Sequence, residues 1–239
     1  FRISTPPVVL VGALLSLIPR NRLQVVRTYA LWMVVLFPVF VAIWRHSTLY
    51  DGVRHLLFVY PPLAVLSAAG WTTWLSSANL VWVRRGAAVL LAAGLIHVLA
   101  FYVRSHPNEA VYFNELVGGP RGAFARYDMD YWGNSMLQAV EWAAHRAERS
   151  GFPIVVSGNP IQAVEANAAR YRSLMSVPRA SRDYHFDIRL LRGPPESVRE
   201  FAARPDVIYN VRTADGTPLC VVIPGPAYLN ISDRLVWDR

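Results

Sequence analysis

The sequence predicts a membrane α-helical bundle of about four helices followed by a small α/β extracytoplasmic domain. Three observations carry this reading. First, 54% of the 239 residues are hydrophobic and the mean hydropathy is +0.26. That is too apolar for an ordinary soluble chain and too polar for one made wholly of membrane helices. Second, the chain divides by charge. All 24 basic residues are Arg; nine lie in Phe1–Arg104 against a single acid, Asp51, and fifteen lie beyond it against fifteen acids, so the net +8 belongs to the apolar half. Third, the long apolar runs stop at Arg104, and shorter strand-like and helix-like segments follow. The expected organisation is membrane helices over residues 1–104, a linker or collar over 105–133, and an α/β domain over 134–239.

The first apolar run, Pro6–Ile18, is shorter than the roughly 20 residues a spanning helix needs, so it crosses only by tilting or by thinning the bilayer. The second, Val25–Trp44, is long enough; Arg27 snorkels from one end and Pro38 predicts a kink. The third runs from His55 to about Leu75, with a second kink expected at Pro61-Pro62. The fourth, Gly86–Val103, is bracketed by Arg84, Arg85 and Arg104. Loops carrying Arg20, Arg22 and Arg27, and then Arg84 and Arg85, fall on one side and read as cytoplasmic. The loop around Asp51 and everything past Arg104 then face outward. A sequence pI of 10.1 invites a nucleic-acid reading, but the surplus charge sits in short loops between greasy runs and not on a soluble surface. No nucleic-acid partner is expected.

Past Arg104, Asn134 reads as the cap of a helix to about Arg149 that Gly151 and Pro153 end. Pro153–Ser157 reads as a strand, and Asn159-Pro160 as the cap and first turn of another helix. His185–Leu191 alternates as a half-buried strand, Glu196–Ala203 reads as a short helix, and Asp206–Ile223 as a hairpin turning at Asp215-Gly216. The lone Cys220, inside an apolar run, excludes an internal disulfide and reads as a buried, inert thiol. The chain starts at Phe1 without Met or a signal-peptide pattern, so it is read as a piece of a longer protein.

Candidate chemistry lies in two places. Tyr50, Asp51, Arg54 and His55 stand at the outer mouth of the third run, where Arg54 with His55 can hold a lipid phosphate. The bland reading is an Arg54–Asp51 pair or a snorkelling Arg. Asp128 and Asp130, at i and i+2 of an extended segment, point to one side and suit a divalent cation on a diphosphate; two solvated carboxylates are the bland alternative. Trp132 and Tyr131 beside them suit stacking on a sugar, or an interfacial belt. GGPRG (Gly118–Gly122) lacks the strand, helix and Lys of a phosphate loop and reads as a turn. His97 has no acid near it in sequence and reads as an interhelical hydrogen bonder. No nucleophile-elbow motif is present.

Three stretches together, STPP (Ser4–Pro7), RHLLFVYPPLAVLSAAG (Arg54–Gly70) and HPNEAVYFNELVGGPRGAFARYDMDYWG (His106–Gly133), resemble the C-terminal part of bacterial membrane glycosyltransferases of the GT-C superfamily. The branch is the one of protein mannosyltransferases and aminoarabinose transferases, glycosyltransferase family 39. The resemblance covers most of Phe1–Gly133 and fades across the tail. It implies an inner-membrane enzyme that takes a sugar from a polyprenyl-phosphate donor to an acceptor at the outer face, with Arg54 and His55 near the donor phosphate. The family's catalytic Asp lies in an earlier outer loop; Asp51 does not match it, which implies that Phe1–Arg239 alone is inactive. The competing expectation is a non-enzymatic, membrane-anchored domain that binds a glycan or another subunit.

Overall fold

The computed structural model describes residues 3–18, 21–47, 54–77, 81–179 and 182–231. It forms two compact units: Phe1–Arg104 with Tyr112–Gly119, and Ser105–Val111 with Pro120–Arg239. The stretch expected as a collar is thus shared between both.

The first unit is helical. Helix α1 (Pro7–Leu15) is followed by α2 (Arg22–Trp44), a 3-10 turn (Arg54–Val59) leading into α3 (Tyr60–Ser77), and α4 (Val81–Ser105). Among the described residues, three stretches are long and apolar enough to cross a bilayer: Arg22–Trp44, His55–Ser76 and Val81–Ser105. The expected fourth span is α1, whose nine residues are too few to cross alone at 1.5 Å each. Pro38 lies inside α2. Pro61-Pro62 do not kink a running helix; they fall in the first turn of α3, where the missing N–H groups have no helical partner to lose. The irregularity sits just before them, at Leu56 (φ −118°).

Helix α3 is the least apolar span, with a mean hydropathy of 1.3 against 2.0 and 2.2, and also the most enclosed. Its polar groups face α1. A Cβ on Gly70 would lie 1.9 Å from the Gly12 carbonyl oxygen, and one on Gly12 would lie 2.3 Å from Ser67 Oγ. Two glycines therefore let the backbones meet, which is how membrane helices associate when burying apolar surface earns nothing. The indole of Trp71 donates to the Val8 carbonyl at 2.9 Å, and that of Trp32 to Ser16 Oγ at 3.2 Å. Ala13, Val35, Val59, Leu63 and Leu66 fill the small core.

The second unit is α/β. After the short α5 (Gly119–Ala123) come α6 (Asn134–Ser150), β1 (Ile154–Asn159), α7 (Ile161–Ala168), β2 (Met175–Ser176), β3 (Phe186–Leu190), α8 (Pro195–Ala202), β4 (Tyr209–Arg212) and β5 (Pro218–Pro224). The sheet order is β2-β1-β3-β5-β4. Strand β1 is parallel to β2 and β3, while β5 is antiparallel to β3 and β4. Alternation decides the layers. Phe186, Ile188 and Leu190 of β3 with Cys220 and Val222 of β5 pack under α6 and α7; Leu191, Val221 and Ile223 meet Val198 of α8. Helix α6 buries Met136, Ala139, Val140, Ala143, Ala144 and Ala147, the 3-4 spacing of a single face.

Asn159 does not cap α7, as expected from sequence; it ends β1 opposite Arg189, and Pro160 takes the cap position with no side-chain bond. The hairpin turns where expected. Asp215 Oδ1 accepts from the Thr217 amide at 3.1 Å and its hydroxyl at 2.7 Å, and Gly216 supplies the positive φ of 86°. GGPRG, expected as a turn, is one only at Gly118, which takes a left-handed φ of 85°; Gly119–Gly122 belong to α5. Its Arg121 donates to the Asp215 carbonyl at 2.7 Å, tying the segment to the hairpin.

The Gly70 contact predicts an asymmetry. Gly70→Ala places a methyl against backbone and is expected to lower the thermal midpoint in detergent, at a cost of about 1–3 kcal/mol. Gly86→Ala, where a Cβ meets nothing within 4 Å, is expected to leave the midpoint unchanged or raise it. Equal midpoints for the two variants would refute close α1–α3 packing.

Candidate functional site

At one end of the helical unit, residues from Ser4–Pro7, Arg54–Gly70 and Tyr112–Gly119 meet. Ser4 Oγ and the Tyr60 hydroxyl share a hydrogen bond of 3.0 Å. The Asn114 side chain donates to the Thr5 carbonyl at 2.8 Å, and its amide donates to the Ile3 carbonyl at 2.9 Å. Asn114 is fully buried, and beside it the Thr5 hydroxyl is buried without a partner among the described residues. Tyr112 packs edge-on against Phe101, and Glu115 pairs with His97. His97 therefore has the acidic partner that sequence distance hid, and it stands about two turns below Arg104 along α4. A polar side chain along a span is costly without a partner, which makes the pairing itself a constraint on Tyr112–Gly119.

Arg54 opens the 3-10 turn at this same end through its backbone, and His55 follows it, exposed. Tyr50 and Asp51, the other expected contacts of a donor phosphate, lie outside the described residues.

Asp128, Asp130 and Trp132 belong to the α/β unit, and the two acids have different environments. Asp130 is buried. Its Oδ1 accepts from the Asn134 amide at 3.0 Å, and its Oδ2 accepts from the Ser135 amide at 2.8 Å and the Ser135 hydroxyl at 2.5 Å. It caps α6 from four residues upstream, a role the sequence assigned to Asn134. Gly133 makes this possible with φ +67°, so the chain doubles back and aims the carboxylate at the helix start. Asp128 is half-exposed, and Arg192 Nε lies 3.7 Å from its carboxylate. Among the described residues no group of three His, Cys, Asp or Glu is placed to hold a metal ion.

The cap also fixes Tyr131 and Trp132 at the carboxyl ends of β1 and β3. After β1 the chain enters α7 on one face of the sheet; after β3 it enters α8 on the other. Such a divergence leaves a crevice between the strand ends, the usual ligand position in α/β folds. Here it is an open pocket of 310 Å³ lined by Tyr131, Trp132, Asn159, Pro160, Leu190 and Arg192. The Arg192 guanidinium lies 4.3 Å over the Tyr131 ring, which itself meets Trp132 edge-on at 5.1 Å. Trp132 remains 59% exposed. A second hollow of 160 Å³, lined by Tyr127 and Asp128, shares Arg192 and Gly193 with the first.

The chain matches no protein-family profile, no curated protein and no solved structure. Its sites are therefore defined by their geometry alone. The sequence points to Trp132 and Asp128 but not to Arg192 and Asn159 as site residues; Asn159 ends β1 and Arg192 lies two residues past the end of β3, each before a helix.

Removing the cap should loosen the α/β unit. Cys220 is fully buried, and burial pushes its thiol pKa well above the ordinary range, so its modification reports opening. Asp130→Ala leaves buried donors unpaired at about 2 kcal/mol, so Cys220 labelling should quicken by roughly 30-fold. An unchanged rate would show that the cap contributes nothing.

Proposed function

We propose that this chain is the C-terminal part of an integral-membrane glycosyltransferase that moves a sugar from a polyprenyl-phosphate donor to an acceptor at the outer face of the membrane. The observation that supports it best is the convergence of Ser4–Thr5, Tyr60 and Asn114 at the end of the helical unit where Arg54 and His55 begin the third span. Segments far apart in sequence, each resembling the same family, form one polar end on an otherwise greasy unit. A departing lipid phosphate carries developing negative charge, and an Arg guanidinium at the hydrocarbon edge answers it with paired N–H donors. A carboxylate base that takes the acceptor proton belongs to the same reaction, and the family resemblance locates it in an earlier loop.

In this reading the α/β unit lies outside the inner membrane. The arginine bias in the sequence supports that side: Arg20, Arg22, Arg27, Arg84 and Arg85 fall on the side read as cytoplasmic, against Arg45, Arg54 and Arg104 on the other. Glu148 of α6, with a side chain 67% exposed, is a suitable place for an engineered thiol, since Cys220 is buried. A membrane-impermeant maleimide is expected to label Glu148→Cys in intact spheroplasts. Labelling only after permeabilisation would reverse the orientation.

The reaction is tested in native membranes containing the full-length protein, with the earlier loop that the resemblance expects to carry the catalytic Asp, and radiolabelled polyprenyl-phosphate sugars. Arg54→Ala is expected to lower transfer by about 100-fold, and Arg54→Lys by less. Full turnover by Arg54→Ala would remove the donor assignment. Absence of transfer by the wild-type protein, with glycan binding retained, would favour the non-enzymatic binding domain.

A further inference from the structure

We infer that the crevice at the carboxyl ends of β1 and β3 is a binding site for a neutral saccharide of one to two rings. The pocket has the three components such a ligand needs. One face of a pyranose ring is lined by C–H groups and its rim by hydroxyls, so it is held by a flat aromatic surface with polar groups at the edge. Trp132 provides the surface, exposed by 59% although its backbone is pinned on both sides by the Asp130 cap and Gly133. Arg192 and Asn159 provide donors and an acceptor on the rim, and Asp128 provides acceptors in the adjoining hollow.

Charge decides between neutral and anionic ligands. Arg192 is the cation that both hollows share, and the Asp128 carboxylate lies 3.7 Å from it; Arg126 lines the smaller hollow only, so the main pocket holds no cation besides one that already has a carboxylate beside it. A phosphate or carboxylate placed there would meet Asp128, whereas a pair of neighbouring hydroxyls can accept from the guanidinium and donate to the carboxylate together. Size decides between a short ligand and a polymer. At 310 Å³ the main pocket is at the lower end of the roughly 300–1,000 Å³ of ligand sites, and the 160 Å³ hollow beyond Arg192 gives room for part of a second ring.

Trp and Tyr also collect at membrane interfaces, but an interfacial belt requires only a surface, and these rings line a concavity at the strand ends. That the saccharide is the acceptor rests on the transferase reading; binding itself is measured without lipid donor, so the two can fail separately.

The test uses the protein in nanodiscs with saturation-transfer NMR. The probes are glucose, mannose, galactose and N-acetylglucosamine, their disaccharides, and glucuronic acid as the anionic control. At least one neutral probe is expected to receive saturation on the C–H protons of one ring face. Trp132→Ala, which changes an exposed side chain, should weaken this by about tenfold, and Trp132→Phe should restore part of it. Asp128→Asn is expected to weaken the second ring of a disaccharide more than the first. Three outcomes would overturn the inference: no transfer to any neutral probe, transfer indifferent to Trp132→Ala, or stronger transfer to glucuronic acid. Quenching of Trp132 by spin-labelled lipid, measured as the part lost in Trp132→Phe, would place the ring in the headgroup layer and also overturn it.

Discussion

The carboxylate of Asp130 is the tie on which the crevice end of the α/β unit depends. It satisfies two backbone donors at the start of α6 and a serine hydroxyl beside them. A helix start buried without such a partner would be costly. The geometry has a second effect. Because the cap reaches forward from residue 130, the three residues between it and the helix are held as a tight loop, and those are Tyr131, Trp132 and Gly133. The placement of the aromatic pair is thus a by-product of ending a helix. The same economy appears at Gly158, where a Cβ would lie 2.4 Å from the Ile188 carbonyl oxygen and 2.6 Å from Val164; its absence lets α7 close against β1 and forms the other wall.

The helical unit solves a different problem. Helix α1 is too short to cross a bilayer alone, and its partner α3 is the least apolar of the long helices. Each compensates the other: Trp71 supplies a donor for the Val8 carbonyl, and the Gly12–Gly70 contact brings the backbones together. Polar groups in a low-dielectric layer must find partners inside the protein. That requirement also draws the Tyr112–Gly119 segment onto α4 through His97 and Glu115, and onto the N-terminal residues through Asn114.

What could be read from the sequence follows from the range of the forces involved. The long apolar runs, the α6 stripe and the Asp215-Gly216 turn are set by residues within a few positions of each other, and all are legible. Asn134 and Asn159 look like caps by local chemistry, but α6 took its cap from Asp130 across a left-handed glycine, and Asn159 was drawn into the β1–β3 ladder. Strand β2 has two residues, too few for any periodicity, so the strand order that creates the crevice could not be foreseen. Nor could His97–Glu115 or Asp128–Arg192, which join residues far apart in the chain. The carboxylates at 128 and 130 share a spacing but not an environment: one is consumed by a helix, the other stands beside a guanidinium.

The borders of the sheet have a consequence of their own. Among the described residues, one border is the two-residue β2, and the other is the four-residue β4, which carries an irregularity at Val211–Arg212 and ends in a charged side chain. Unpaired strand borders invite neighbouring chains to add on, and short, bent or charged ones discourage it. Proteins confined to a membrane meet one another at high local density. Borders this brief offer a neighbouring chain little backbone to pair with.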